Sequence, residues 1–405
     1  MKVIYLHQYF TTPDMAGGTR SYEMARRLVA AGHEVHLVTT WREPSEQRDW
    51  FVTEEAGIRV HWLPVPYSNS MPYGERIRAF LRFAWESARK AASLGGDVVF
   101  ATSTPLTIAL PGIYAAWRRR IPLVFEVRDM WPAVPIAIGA IRNPLAVWLA
   151  RRLESFTYRY ATHIVALAPG MGEDIVASGV PREKVTIIPN GCDLDVFAPP
   201  TGSLSPRQEF PWLGARKLVL YAGALGLANG AGYLVRLADE VARLDDQIRF
   251  VVIGDGVDEA SIRGQARALG LLDRVFFMFR PMPKRDLVRW LHAADIVTAL
   301  FTGPRVIWKD AVQNKFFDAL ASGKPIANNF DGWQSRVAAE AGVGLILDPE
   351  NLPRAAEQLV AALHDEAWLG SVPARARQLA ESQFERGRLA ARLEITLRTA
   401  VEERR

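Results

Sequence analysis

The sequence predicts an α/β protein built from two doubly wound, Rossmann-like domains. Three observations predict it. Short β-branched runs alternate with helix-period stretches over the first half, the alternation breaks near residue 200, and it then restarts. Strands that alternate with helices give a parallel sheet covered on both faces. At 405 residues the chain is too long for one ordinary core and long enough for two.

In the first half Val3–Leu6, Glu34–Thr39, Arg59–Leu63, Val98–Ala101, Leu123–Val127, Ile164–Leu167 and Val185–Ile188 read as buried strands. Helical patterns lie between many of them, at Ser21–Ala31, Arg76–Ala92, Leu106–Arg119 and Leu145–Tyr160. The break is Pro199–Pro206, a Pro/Gly/Ser-rich stretch of linker composition. After it Leu218–Tyr221, Phe250–Ile253, Val275–Phe279, Ile296–Leu300, Pro325–Ala327 and Leu345–Leu347 read as the strands of a second sheet. The chain ends in a helical pattern, Arg386–Val401. The domains are therefore expected at 1–198 and 199–384, with the helix 385–405 returning to the first.

Composition narrows the function classes. Apolar residues make up 49% and charged residues 23%, an ordinary globular balance. No apolar run approaches the ~20 residues that span a bilayer. Met1–Leu6 runs directly into His7-Gln8-Tyr9 and leaves no signal-peptide core. The single cysteine, Cys192, excludes an internal disulfide and a thiolate cluster, and the seven histidines are scattered. The expectation is a cytoplasmic protein with no metal and no cofactor. The net charge is +5, with basic residues gathered at Arg76, Arg78, Arg82, Arg89 and Lys90, then at 118–120 and 151–152. Such clusters suit anionic lipid, nucleic acid or phosphorylated substrates, and equally the solvated faces of ordinary helices.

Open α/β sheets bind ligands beyond the carboxyl ends of their strands, so chemistry is sought on loops that enter helices. After the first strand, Asp14 through Arg20 carries the pair Gly17-Gly18 before a helix. Glycines there let backbone approach a ligand, and a helix N-terminus favours anions, although a tight turn reads the same way. Gly223 and Gly254 end two strands of the second domain. Their spacing is not the G-x-G-x-x-G of dinucleotide binding. The sharpest constellation runs from Asp310 to Pro325, with Asp310 and Asp318 eight residues apart, Lys315 between them and Gly323 as the stop. Eight residues is slightly over two helical turns, so both acids can face one cleft at different depths. A carboxylate can accept two neighbouring ribose hydroxyls while Lys315 and backbone N–H groups hold phosphate. An amphipathic helix with exposed acids fits the same residues.

In this order the motifs resemble the retaining glycosyltransferases of family 4, which have the GT-B fold. The matching pieces are Gly17-Gly18, Ala31–Val35, Ile188–Asp193, Gly254-Asp255-Gly256, and Asn314-Lys315 through Gly323-Lys324-Pro325. Asp310 and Asp318 fall at the positions of that family's E-x7-E motif. Phe125–Pro132 resembles the subgroup that builds bacterial surface polysaccharide, including fucosamine-type transferases. Three departures stand out. Both acids are aspartate where the family has glutamate. Ala224 and Asn229 stand where relatives carry a diphosphate-neutralising arginine and lysine, which shifts that task to Lys315, Arg305 or Lys309. Arg128 stands where relatives have histidine, which turns attention to Asp129.

The resemblance implies a metal-independent transfer from a nucleotide-sugar, with UDP as the carrier by family habit. It places Gly17, Gly18, Gly223, Gly254, Arg280, Asn314, Lys315 and Asp318 on the donor. Arg128, Asp129 and Asp310 are the catalytic candidates. Asp14, Tyr73 and Trp131 are placed on the acceptor, expected to be a saccharide or lipid-linked saccharide. The basic amphipathic segment Tyr73–Ser93 is expected to touch an anionic membrane surface, with no nucleic-acid partner. His7 reads as a packed or capping group more than a catalyst. Glu126 and Arg128 share a strand face and read as a salt bridge. Cys192 reads as an inert thiol. A sugar-nucleotide epimerase of the same architecture and, more distantly, a polyanion-binding protein are the rival readings.

Overall fold

A computed structural model describes the chain except residues 16, 44, 67–70, 72, 138, 200, 201, 203, 227, 228, 304 and 405. The side chains of Arg76, Val306 and Tyr73, the last an expected acceptor contact, also lie outside the described residues. Two compact units are present. The first comprises 1–12, 19–189 and 387–405, and the second 13–18 and 190–386.

Among the described residues of the first unit, eight strands form one sheet. They are β1 (Lys2–Leu6), β2 (Glu34–Trp41), β3 (Phe51–Glu55), β4 (Ile58–Pro64), β5 (Val98–Thr102), β6 (Leu123–Val127), β7 (His163–Ala166) and β8 (Val185–Ile187). Their order is β3-β4-β2-β1-β5-β6-β7-β8. Every pairing is parallel except β3 with β4, where Phe51 faces Trp62 and Glu55 faces Ile58. β3 is absent from the strands expected from sequence: it is a hairpin strand whose residues alternate between half-buried and exposed. β1 sits at the centre, with Val3 beside Val35 on one side and Val98 on the other. Its Val-Ile-Tyr-Leu run is buried on both faces, as a central parallel strand requires.

Among the described residues of the second unit are six parallel strands: β9 (Leu218–Ala222), β10 (Arg249–Ile253), β11 (Phe276–Phe279), β12 (Ile296–Ala299), β13 (Ile326–Asn328) and β14 (Gly344–Ile346). Their order, β11-β10-β9-β12-β13-β14, puts the switch of direction at β9. Two apolar clusters cover the faces, one around Phe316, Phe317 and Phe384, the other around Tyr221, Leu234 and Leu359.

The division between units falls at Pro189/Asn190, ahead of the linker-like stretch. Residues 190–193 are held by second-unit groups. Asn190 Nδ2 donates to Asn314 Oδ1 at 2.9 Å, and the Cys192 thiol points at the Phe317 carbonyl at 3.3 Å. The terminal helix Arg386–Glu402 belongs to the first unit from Gly387 onward. There His33 meets Glu394 at 2.9 Å and His163 meets Glu403 at 3.0 Å. No helix among the described residues is long and apolar enough to cross a membrane.

Candidate active site

In the second unit, the ends of β9 and β10 meet through two glycines. A Cβ on Gly254 would lie 1.9 Å from the Gly223 carbonyl oxygen, so no side chain fits there. Gly223 has φ 147°, and a Cβ on it would meet Lys315 Cε at 2.8 Å. The strand ends are tied by Gly223 N donating to the Ile253 carbonyl at 2.9 Å and Leu225 N to that of Asp255 at 2.7 Å. Arg280 follows β11 directly and is exposed. The preceding carbonyl, of Phe279, accepts from Gly254 N at 3.1 Å.

Over this floor lies Lys315, in the first turn of the helix Asn314–Ala321. Its ammonium sits 4.5 Å from the centre of the Tyr221 ring, a cation–π contact. Burial pulls its pKa down to about 8, against the pull of Asp318. The cap residue Gln313 gives the first turn no side-chain hydrogen bond, which leaves a helix end suited to an anion. Gly18, of the segment 13–18 grouped with this unit, packs so close to Asn314 that a Cβ would lie 2.8 Å from its amide nitrogen. Asp14 on the same segment is exposed and lies 3.8 Å from Arg285.

Asp318 stands one turn beyond Lys315 and is half-buried. Burial raises its pKa, Lys284 opposes that, and Asp193 reinforces it. Lys284 Nζ lies 3.6 Å from Asp318 Oδ1 and 3.4 Å from Asp193 Oδ2. Asp193 also receives a two-pronged contact from Arg386, at 2.9 and 3.2 Å, and Arg386 donates to the Gly191 carbonyl at 2.7 Å. Neither Lys284 nor Arg386 carries a site signal in the sequence. They come from remote segments, and only Asp193 carried a signal, within Ile188–Asp193.

Asp310 lies in the turn before the same helix, mostly buried, 4.0 Å from Lys309. That loop is anchored from below. Gln313 N donates to Gln334 Oε1 at 2.8 Å, and Gln334 Nε2 returns to the Gln313 carbonyl at 3.1 Å. Trp333 N donates to the Lys309 carbonyl at 3.0 Å, and Gln313 Nε2 to that of Leu300 at 2.8 Å. Of the other cations considered for phosphate, Arg305 pairs with Glu350 at 2.7 Å. Asn229 instead steadies the glycine turn, its amide donating to the Ala224 carbonyl at 2.7 Å.

In the first unit, the ends of β1, β5 and β6 gather a second polar group. Glu126 does not pair with Arg128, contrary to the expectation from their shared face. It is fully buried and taken by Arg20, at 2.7 and 3.2 Å, with Thr102 donating to its other oxygen. Arg20 can reach it because β6 and the start of the helix Arg20–Ala30 converge there. Arg128 turns instead to His7, with Nη1 3.2 Å from Nε2. Arginine only donates, so Nε2 of His7 accepts and the ring proton sits on Nδ1. Burial, then Arg128 and Arg42, hold the His7 pKa well below its usual value, so the ring is neutral. Asp129 is exposed and accepts from Thr104 Oγ1 at 3.2 Å. Trp131 is half-buried, and its backbone N–H donates to the Asp129 carbonyl at 2.9 Å. Cys192 is fully buried, and burial raises its pKa far above the usual thiol range, so it is inert.

Two family models match the chain. Residues 16–191 match the glycosyl transferase 4-like domain, and residues 206–383 match glycosyl transferases group 1. The chain belongs to the glycosyltransferases of family 4, with a 4-like first domain and a group 1 second domain, and has their GT-B fold. It is an enzyme, a glycosyltransferase. Among its relatives, D-inositol 3-phosphate glycosyltransferase of Xylanimonas cellulosilytica is 26% identical, covering 89% of this chain and 87% of that one. The GDP-mannose-dependent alpha-(1-6)-phosphatidylinositol monomannoside mannosyltransferase of Mycobacterium tuberculosis is 24% identical, covering 95% and 96%. Anabaena HepE, solved in complex with UDP-glucose, superposes with a TM-score of 0.71 at 18% identity, covering 98% of this chain and 100% of that one.

Proposed function

We propose that this glycosyltransferase is a retaining, metal-independent enzyme whose second unit holds the nucleotide-sugar. The observation that carries the reading is the grouping of Lys315, Gly223, Gly254 and Asp318 around one helix N-terminus. A cation over a glycine floor suits a diphosphate, and a half-buried carboxylate one turn along suits the two ribose hydroxyls. Asp310, on its braced loop, would hold hydroxyls of the transferred sugar. UDP is the proposed carrier, supported by the bound UDP-glucose of HepE, while the GDP-mannose-dependent relative makes GDP the competing choice.

The acceptor is assigned to the first unit, beside Asp129 and Trp131. Retention follows from front-face attack, in which the leaving phosphate takes the acceptor proton and the enzyme positions and stabilises. Lys315 and the helix terminus supply the positive field that a metal would otherwise provide. Among the described residues, no three His, Cys, Asp or Glu side chains group in a way that could hold a metal ion.

A lipid-linked acceptor is proposed from the surface of the first unit. On the helix Tyr73–Leu94, Ile77, Leu81 and Trp85 form an exposed apolar stripe beside exposed Arg78 and Arg82. Exposed Trp117 and Trp148 lie on other helices of the same unit. Aromatic and basic groups together suit an anionic membrane surface. The test is a thermal-shift screen against UDP, GDP and their sugars, followed by transfer assays with and without EDTA. Stabilisation by UDP-sugars and EDTA-resistant transfer are expected. Loss of activity in EDTA that magnesium restores would refute the phosphate reading.

A further inference from the structure

We propose that Lys284 is a positioning residue for the nucleotide, holding the Asp318 carboxylate ionised and turned toward the ribose hydroxyls. This rests on the assignment of Asp318 to the ribose. The supporting geometry is a balanced cluster of two carboxylates and two cations in the second unit. Asp193 and Asp318 share Lys284, at 3.4 and 3.6 Å. Arg386 spends Nε and Nη2 on Asp193 and on the Gly191 carbonyl.

Three elements face Asp318. Lys284 begins the helix Lys284–Ala293, Asp193 and Cys192 lie on the segment after Pro189, and Arg386 starts the terminal helix. Lys315 lies on Asp318's own helix. The Cys192 thiol stays neutral and adds no charge. Lys284 is itself fixed, mostly buried, with its ammonium 4.7 Å from the centre of the Phe197 ring. Without it, the two carboxylates face Arg386, committed to Asp193, and Lys315, whose charge burial already disfavours. Arg386 remains on Asp193, so Asp318 is the acid that takes up a proton. A protonated acid loses the charge assistance that makes it a strong acceptor for two hydroxyls.

The experiment compares UDP and GDP with their 2′,3′-dideoxy forms in wild-type protein, Lys284→Met, Lys284→Gln and Lys284→Arg, by calorimetric titration from pH 6 to 8.5. Because both members of each pair carry the diphosphate, their affinity ratio cancels any contact of Lys284 with phosphate. Wild type is expected to prefer the hydroxylated form about ten- to a hundredfold at every pH. In Lys284→Met and Lys284→Gln the preference should collapse toward one at pH 6 and recover as pH rises, while Lys284→Arg keeps it flat. Two neutral variants guard against one that fails to fold. A preference equal to wild type at every pH overturns the proposal, and so does a loss of the same size at every pH, which marks a structural role alone. If the wild-type protein itself does not distinguish the two forms, the ribose assignment falls, and this proposal with it.

Discussion

Raising the pH should weaken donor binding through Lys315, and the structure sets the scale. Its pKa is held at about 8, against an ordinary value of 10.5. A diphosphate beside the ammonium stabilises the charged form, so binding pulls the pKa back up. Recovering the whole difference would be worth about 3 kcal/mol at ~1.4 kcal/mol per unit. Lys315 is only half-buried and solvent screens it, so about 1–2 kcal/mol is the reasonable share. Below pH 7 the lysine is charged with or without ligand, and affinity is flat. Above 8 the free protein loses the charge first, and UDP affinity should fall roughly three- to tenfold by pH 9. Calorimetric titration in two buffers of different ionisation enthalpy should also detect proton uptake near pH 8. The same lowered pKa disfavours the charged lysine in the folded state. Its contribution to stability is therefore full above 10.5 and lost as pH falls through about 8. Lys315→Met should consequently raise the melting temperature of the ligand-free protein at pH 7 while weakening UDP. A flat affinity to pH 9, or the same decline in Lys315→Met, would refute the reasoning.

Two further predictions concern the first unit. Glu126→Ala strands the buried Arg20 guanidinium and should cost about 3–5 kcal/mol of stability by denaturant titration, whereas replacing both partners with apolar residues should cost less. Sedimentation with anionic vesicles should exceed that with neutral ones, and Arg78→Glu plus Arg82→Glu should remove the difference. Equal sedimentation with both vesicle types would count against a membrane surface.

The central strands were readable because each is a continuous apolar run, and their ends were placed to within a residue or two, as β6 and β10 illustrate. β3 is not legible because Phe51–Glu55 alternates half-buried with exposed residues, none of them buried, and gains its place by pairing with β4. The helix Pro169–Ala177 was obscured by its opening proline and two glycines, although proline is at home in a first turn. In the site, residues that sit on one short stretch of sequence are visible together, as Asn314, Lys315 and Asp318 are on one helix. Pairings made by the fold are not. Glu126 looked paired to Arg128 at two-residue spacing, yet the sheet brings Arg20 to it from 106 residues away. Lys284 and Arg386 meet Asp193 for the same reason, across 91 and 193 residues of sequence.

We propose that the second unit grips a nucleotide-sugar with divided labour between its two acids. Asp318 should touch the nucleotide in donor and product alike, so Asp318→Ala should weaken UDP about ten- to a hundredfold, the loss of hydrogen bonds to a charged acceptor. Asp310 should touch only the transferred sugar, so Asp310→Ala should leave UDP affinity nearly unchanged and cut turnover. Calorimetric titration of both variants with UDP, beside a transfer assay, measures the division directly. Equal loss of UDP affinity in the two variants would contradict it, and so would two variants that bind and turn over like the wild-type enzyme.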